Sequence, residues 1–98
     1  MIIVLATAIP KNEDANKKIV EFAQDLIENS RKEKGNVDYN LYSNTGDNTL
    51  LFVEKWESKE ILNSHLQTEH FNKFGENIED LIVEELSIDV FDANKTDL

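Results

Sequence analysis

The segment Ile2-Ile3-Val4-Leu5-Ala6-Thr7-Ala8-Ile9 constrains the fold more than any other stretch of the sequence. It is rich in β-branched residues and apolar at odd and even positions alike, the pattern of a strand covered on both faces. Pro10 ends it, having no N–H to give a ladder. A chain of 98 residues makes one domain, residues 1–98, with a core that buries only about 60–65% of the unfolded surface. Such a chain has little material for covering a sheet on two sides, so the second cover comes from a partner or a ligand.

After Pro10 the apolar period changes from two to between three and four. Ala15, Ile19, Phe22, Ala23, Leu26 and Ile27 form one stripe and Lys17, Lys18, Glu21, Asp25 and Glu28 the opposite one, which predicts an amphipathic helix over 13–34. Asn12 is its expected cap, and Gly35 its expected left-handed stop. Two β-rich runs, Val37 to Asn44 and Thr49 to Trp56, flank the turn formers Thr45-Gly46-Asp47-Asn48 and make a hairpin. In the first run Val37, Tyr39 and Leu41 share one face, so Tyr39 and Asn40 point to opposite sides. In the second, Leu51 and Val53 oppose Leu50, Phe52, Glu54 and Trp56. Ser58 and Thr68 are caps for a short helix carrying Ile61, Leu62 and His65 and, past a kink, a longer one with the stripe Phe71, Phe74, Ile78, Leu81, Ile82. A last strand spans 83–91, and 92–98 form a polar tail. The order is β-α-β-β-α-β, with the later helix in two pieces: an α+β, ferredoxin-like plan with an antiparallel sheet and helices on one face. An apolar surplus on both faces of strands one and three predicts a homodimer packed sheet to sheet, a ligand pocket, or both.

Charge removes several functions. Twenty acidic against ten basic residues give a net charge of −10, which repels nucleic-acid phosphates and anionic lipid. No nucleic-acid or membrane partner is expected. The apolar N-terminal segment lacks a basic flank and reads as a strand rather than a signal. Cysteine is absent, which excludes disulfides, thiolate nucleophiles and iron–sulfur ligation and fits a reducing cytoplasm.

Three short motifs carry a family resemblance: Glu54-x-Trp56-Glu57-Ser58, His65-Leu66-Gln67-Thr68-x-His70, and Gly35-x-x-x-Tyr39. With these the sequence resembles the antibiotic biosynthesis monooxygenase family of the dimeric α+β barrel superfamily, and within it the small quinol monooxygenases. The resemblance covers nearly the whole chain. It implies oxygenation of a small aromatic, a quinol or polyphenol, with dioxygen and no cofactor. Once deprotonated, such a substrate is electron-rich enough to reduce dioxygen itself, and the protein supplies a dry pocket, a base and hydrogen-bond donors. Haem-degrading proteins, isomerases and non-enzymatic binding dimers share the fold. Where the haem-degrading relatives carry an asparagine on the first strand, this chain has Thr7.

His70 and His65 are the candidate bases, since imidazole accepts a proton near neutrality. The bland alternatives are that His70 braces the kink and that His65 is a hydrogen-bonded core residue. Tyr39 or Asn40 offers a hydrogen bond to a substrate oxygen, and Trp56, Phe52 and Phe74 offer flat walls, unless Trp56 simply fills the core. A metal site is not expected, because the His65–His70 spacing is not the i, i+4 interval that puts two imidazoles on one helical face. Glu57, Glu60 and Glu69 read as solvated surface.

Overall fold

Each α-helix begins where a side chain satisfies one of its free N–H groups. Asn12 Oδ1 accepts from the Ala15 amide at 2.8 Å, Ser58 Oγ from Ile61 at 3.2 Å and Thr68 Oγ1 from Phe71 at 3.3 Å. The computed structural model describes every residue from Met1 to Leu98. The elements are β1 (Ile2–Ala8), α1 (Glu13–Arg31), β2 (Asn36–Ser43), β3 (Leu50–Trp56), α2 (Lys59–His65), α3 (Glu69–Ile78), a 3₁₀ turn Glu79–Leu81 and β4 (Ser87–Asp92). The strands form one sheet in the order β2-β3-β1-β4, every neighbouring pair antiparallel. This is the expected ferredoxin-like α+β plan.

The helices lie on one face of that sheet. On β1 the inward residues are Ile2, Val4, Ala6 and Ala8, and on β3 Leu50, Phe52, Glu54 and Trp56, all buried. Between them and the helices lies a core in which Ile19, Ala23 and Leu26 of α1, Leu62 of α2 and Phe74 and Ile78 of α3 meet Tyr39 and Trp56. The outer face carries Ile3, Leu5, Leu51 and Val53, half-buried, with Tyr42 and Phe91 exposed.

Five sequence expectations need correction. Helix α1 ends at Arg31 rather than Lys34: the Lys32 amide already bonds back to Asn29 and Ser30, tightening the last turn before the chain leaves it. Phe22 is 40% exposed, because the buried stripe of α1 is narrow and is completed by Ser30 instead. Val37 is exposed because the β2–β3 register shifts between Asn36 and Asp38; the extra residue leaves the face that Tyr39 and Leu41 keep. The last strand starts at Ser87, not Val83. Residues 81–83 instead tie down the chain after β1, with the Lys11 amide bonding Leu81 and the Val83 amide bonding Ile9. Asp92 belongs to the strand, and only Ala93–Leu98 are without regular structure.

Gly35 carries the turn between α1 and β2. Its φ is +88°, its carbonyl accepts from the Glu57 amide at 2.9 Å, and a Cβ there would stand 2.3 Å from Ile61 Cδ1. Strain and overpacking combine, so Gly35→Ala is expected to lose about 2–4 kcal/mol in urea unfolding. Gly75, inside α3 with nothing within 4 Å, is the control: Gly75→Ala should gain about 0.5–1 kcal/mol. A loss under about 1 kcal/mol at Gly35 would contradict this account.

Candidate functional site

Strand alternation brings a carboxylate into the core. Phe52 and Trp56 of β3 point at the helices, and Glu54 between them must do the same. It is 5% exposed. The Trp56 indole donates from Nε1 to Glu54 Oε1 at 3.0 Å, and Tyr39 stands opposite Glu54 in the β2–β3 register. Burial pushes the Glu54 carboxyl up to about 7, against the indole bond, which favours the charged form, and with a further push from the Glu33 charge. Burial, then the nearby Glu54 charge, push the Tyr39 hydroxyl far above its ordinary value, so it stays protonated. The buried Ser30 hydroxyl, which has no hydrogen-bond partner of its own, opposes that shift.

Glu54 is the one charged residue bordering an internal cavity of about 30 Å³ between the sheet and the helices. Val4, Ala6, Tyr39 and Phe52 form its floor, and Leu26, Leu62, Phe71 and Phe74 its roof. The volume holds roughly one water, far below the roughly 300 Å³ of a small-ligand pocket. Its rim residues Leu66, Ile88 and Val90 are exposed, which puts the way in between the α2–α3 break and the edge strand β4.

A second cluster lies behind the cavity wall. Glu33 Oε2 meets His65 Nδ1 at 2.6 Å and His70 Nε2 at 2.8 Å. His65 is 1% exposed, with its ring centroid 4.5 Å from Trp56, 5.5 Å from Tyr39 and 5.3 Å from Phe71. Burial lowers the His65 pKa even though Glu33 pulls it up. Its Nε2, turned away from Glu33, has no hydrogen-bond partner. The three ligating atoms lie within 4.8 Å of one another.

The expected residues therefore fall in three places. Tyr39, Phe52 and Phe74 border the cavity. His65 and His70 converge on Glu33, with Trp56 packed against His65 at a tilt of 38°, and neither the histidines nor Trp56 border the cavity. Asn40 lies at the sheet edge, bonded to Arg31 at 3.0 Å and Asp38 at 2.7 Å, and does not reach the cavity. The spacing argument against convergent histidines is corrected by the helix break. The Thr68 hydroxyl donates to the His65 carbonyl at 2.8 Å and caps α3, so the two imidazoles sit on different helices. Thr7 lies on the outer face, and Val4 and Ala6 are the β1 residues at the cavity. Glu57, Glu60 and Glu69 are exposed. Two residues were missed. Glu54 had a signal in the alternation of β3; Glu33, in a basic stretch past a helix, had none.

Comparison with known proteins bears on the whole domain. The family model for antibiotic biosynthesis monooxygenase matches residues 1–77. An uncharacterized protein of Synechocystis sp. is 34% identical over 96% of this chain, and the match spans 65% of that protein's length. The Bacillus subtilis protein named "Putative monooxygenase YcnE" is 34% identical over 74% of this chain and 77% of its own. The structure of Rv0793 from Mycobacterium tuberculosis superposes with a TM-score of 0.89 over 97% of this chain and 96% of that one, at 21% identity, a likeness of fold. No helix is long and apolar enough to cross a membrane.

The buried carboxyl makes stability depend on pH. A folded pKa near 7 against 4.5 means that the contribution of Glu54 is fully present below pH 4.5 and lost as pH rises through about 7. His65, lowered by burial, acts in the opposite sense: its contribution is present above pH 6.5 and lost as pH falls through its folded value. Glu54→Gln keeps an acceptor for the indole and isolates the first effect. Between pH 5 and 8 the wild type should lose about 2–3 kcal/mol relative to the variant in urea unfolding, and parallel pH curves would contradict this.

Proposed function

The chain belongs to the antibiotic biosynthesis monooxygenase family, and on that footing we propose that it oxidises a quinol- or polyphenol-type aromatic with dioxygen, without a bound metal or flavin in the reaction. The observation that carries this reading is Glu54, an ionisable carboxyl tuned to about 7 in an otherwise apolar cavity, where a base for a phenolic or benzylic proton is needed.

In this reading Glu54 takes the substrate proton, leaving an electron-rich anion. The Tyr39 hydroxyl, held protonated, donates a hydrogen bond to the developing oxyanion. Phe52 and Phe74, packed edge to face at 5.6 Å, flank the aromatic ring, and the apolar lining excludes water. One oxygen atom of dioxygen becomes a carbonyl on the substrate and the other leaves as water, with all four electrons and both displaced hydrogens coming from the substrate. A ring enters by parting Leu66 from Ile88 and Val90 at the rim. His65 and His70 are the alternative bases. His65 is a single ring behind Tyr39 and Phe71, and serves if the substrate displaces Phe71.

The working unit in this proposal is a cytoplasmic homodimer. Ile3, Leu5, Leu51, Val53, Tyr42 and Phe91 share the outer face of the sheet, an apolar surface that a second copy covers sheet to sheet.

Oxygen uptake with a panel of hydroquinones and anthrones in chelator-treated buffer tests the activity. The wild type should consume one dioxygen per substrate, with a rate that rises as pH passes about 7. Glu54→Gln should lower kcat by about 10²–10⁴-fold. Silence of the wild type across the panel overturns the reading. Full activity of Glu54→Gln, with loss in His65→Ala, moves the base to the histidine.

A further inference from the structure

We propose that Glu33, His65 and His70 form a binding site for a divalent transition-metal ion of the zinc class, separate from the cavity chemistry. The donors come from three segments: the turn after α1, the last residue of α2 and the first turn of α3. Their contacts of 2.6 and 2.8 Å are slightly tighter than the roughly 3.3 Å between neighbouring ligands of a tetrahedral ion with bonds of about 2.0–2.1 Å. Each histidine must part from Glu33 by roughly half an ångström or slightly more to admit the ion. Two imidazole nitrogens and one carboxylate oxygen select zinc, cobalt, nickel or iron over magnesium and calcium, which prefer oxygen. Glu33 and His70 are partly exposed, leaving a coordination position open to water.

An independent observation points the same way. With a proton on His65 Nδ1 for Glu33, the fully buried Nε2 presents a lone pair that has no donor, against the rings of Trp56, Tyr39 and Phe71. If Nδ1 binds an ion, the proton moves to Nε2 and the buried lone pair is gone. A metal thus fixes the Nε2–H tautomer, and it staples the α1–β2 turn to both helices across their break.

Calorimetric titration of the full chain with Zn²⁺, paired with thermal unfolding, tests the site. One ion should bind per chain and raise the Tm, while Mg²⁺ does neither. Glu33→Gln and His70→Gln should each weaken Zn²⁺ at least tenfold. The chain has only two histidines, so imidazole NMR of the wild type gives a second reading that needs no variant: both rings should shift with Zn²⁺, and both should broaden with Co²⁺. No binding at about 100 μM Zn²⁺, binding that leaves either imidazole unmoved, or affinity unchanged in both variants overturns the proposal. None of these readouts uses oxygen consumption, so failure here and failure of the oxygenase reading are distinguishable.

Discussion

The period of a β-strand allows no choice about Glu54. Phe52 and Trp56 are large and must be buried, and a residue two positions from each shares their face. Either the strand gives up two aromatic anchors or it accepts a carboxyl in the core. The structure takes the second course and offsets the cost with the nearest available donor, the indole of Trp56. Because β3 lies between β1 and β2 in the sheet, Glu54 faces Val4 across one ladder and Tyr39 across the other. The one carboxyl group at the cavity is therefore fixed by the same register that builds the sheet.

A second constraint acts through the helix layer. A continuous helix from Lys59 onward would set His65 and His70 about 140° apart around its axis, too far to share a partner. Thr68 breaks that geometry by donating to the end of α2 and capping the start of α3 with one hydroxyl. The break turns both imidazoles toward Glu33 and leaves Leu66 at the cavity rim. One capping residue thus sets both the histidine cluster and the way into the cavity.

How much of this the sequence revealed depended on the range of the interaction. Caps and periods are local, and Asn12, Ser58, Thr68 and the inward alternation of β3 stand where the residues alone place them. Tyr39 facing the core was legible from its strand, but the expulsion of Val37 was not, since a bulge is a property of the pairing. The start of β4 was misplaced because Val83 and its neighbours are held by Ile9 and Lys11, 70 or more residues away. Glu33 was invisible for the same reason: its partners are 32 and 37 positions on, and nothing local marks a glutamate among basic residues. Glu54 was legible in position but not in consequence, because its raised pKa comes from a desolvation that only the assembled helices produce.

The cavity follows from a gradient of side-chain size. Along β1 the inward residues shrink from Ile2 and Val4 to Ala6 and Ala8, while Phe52 beside them and Phe74 above remain large and rigid. Two flat rings cannot fill the space over Ala6 as a branched aliphatic chain would, and the gap remains. It opens toward β4, which pairs on one side only and whose inward residues Ile88 and Val90 no helix covers. Rearrangement costs least at such an edge, since moving Leu66, Ile88 and Val90 at the rim breaks no ladder bond within the β1–β3 pair. The fixed carboxyl on β3 and the exposed rim on β4 thus border one small space, the arrangement that the proposed reaction requires of a site that admits a ring and holds its proton acceptor still.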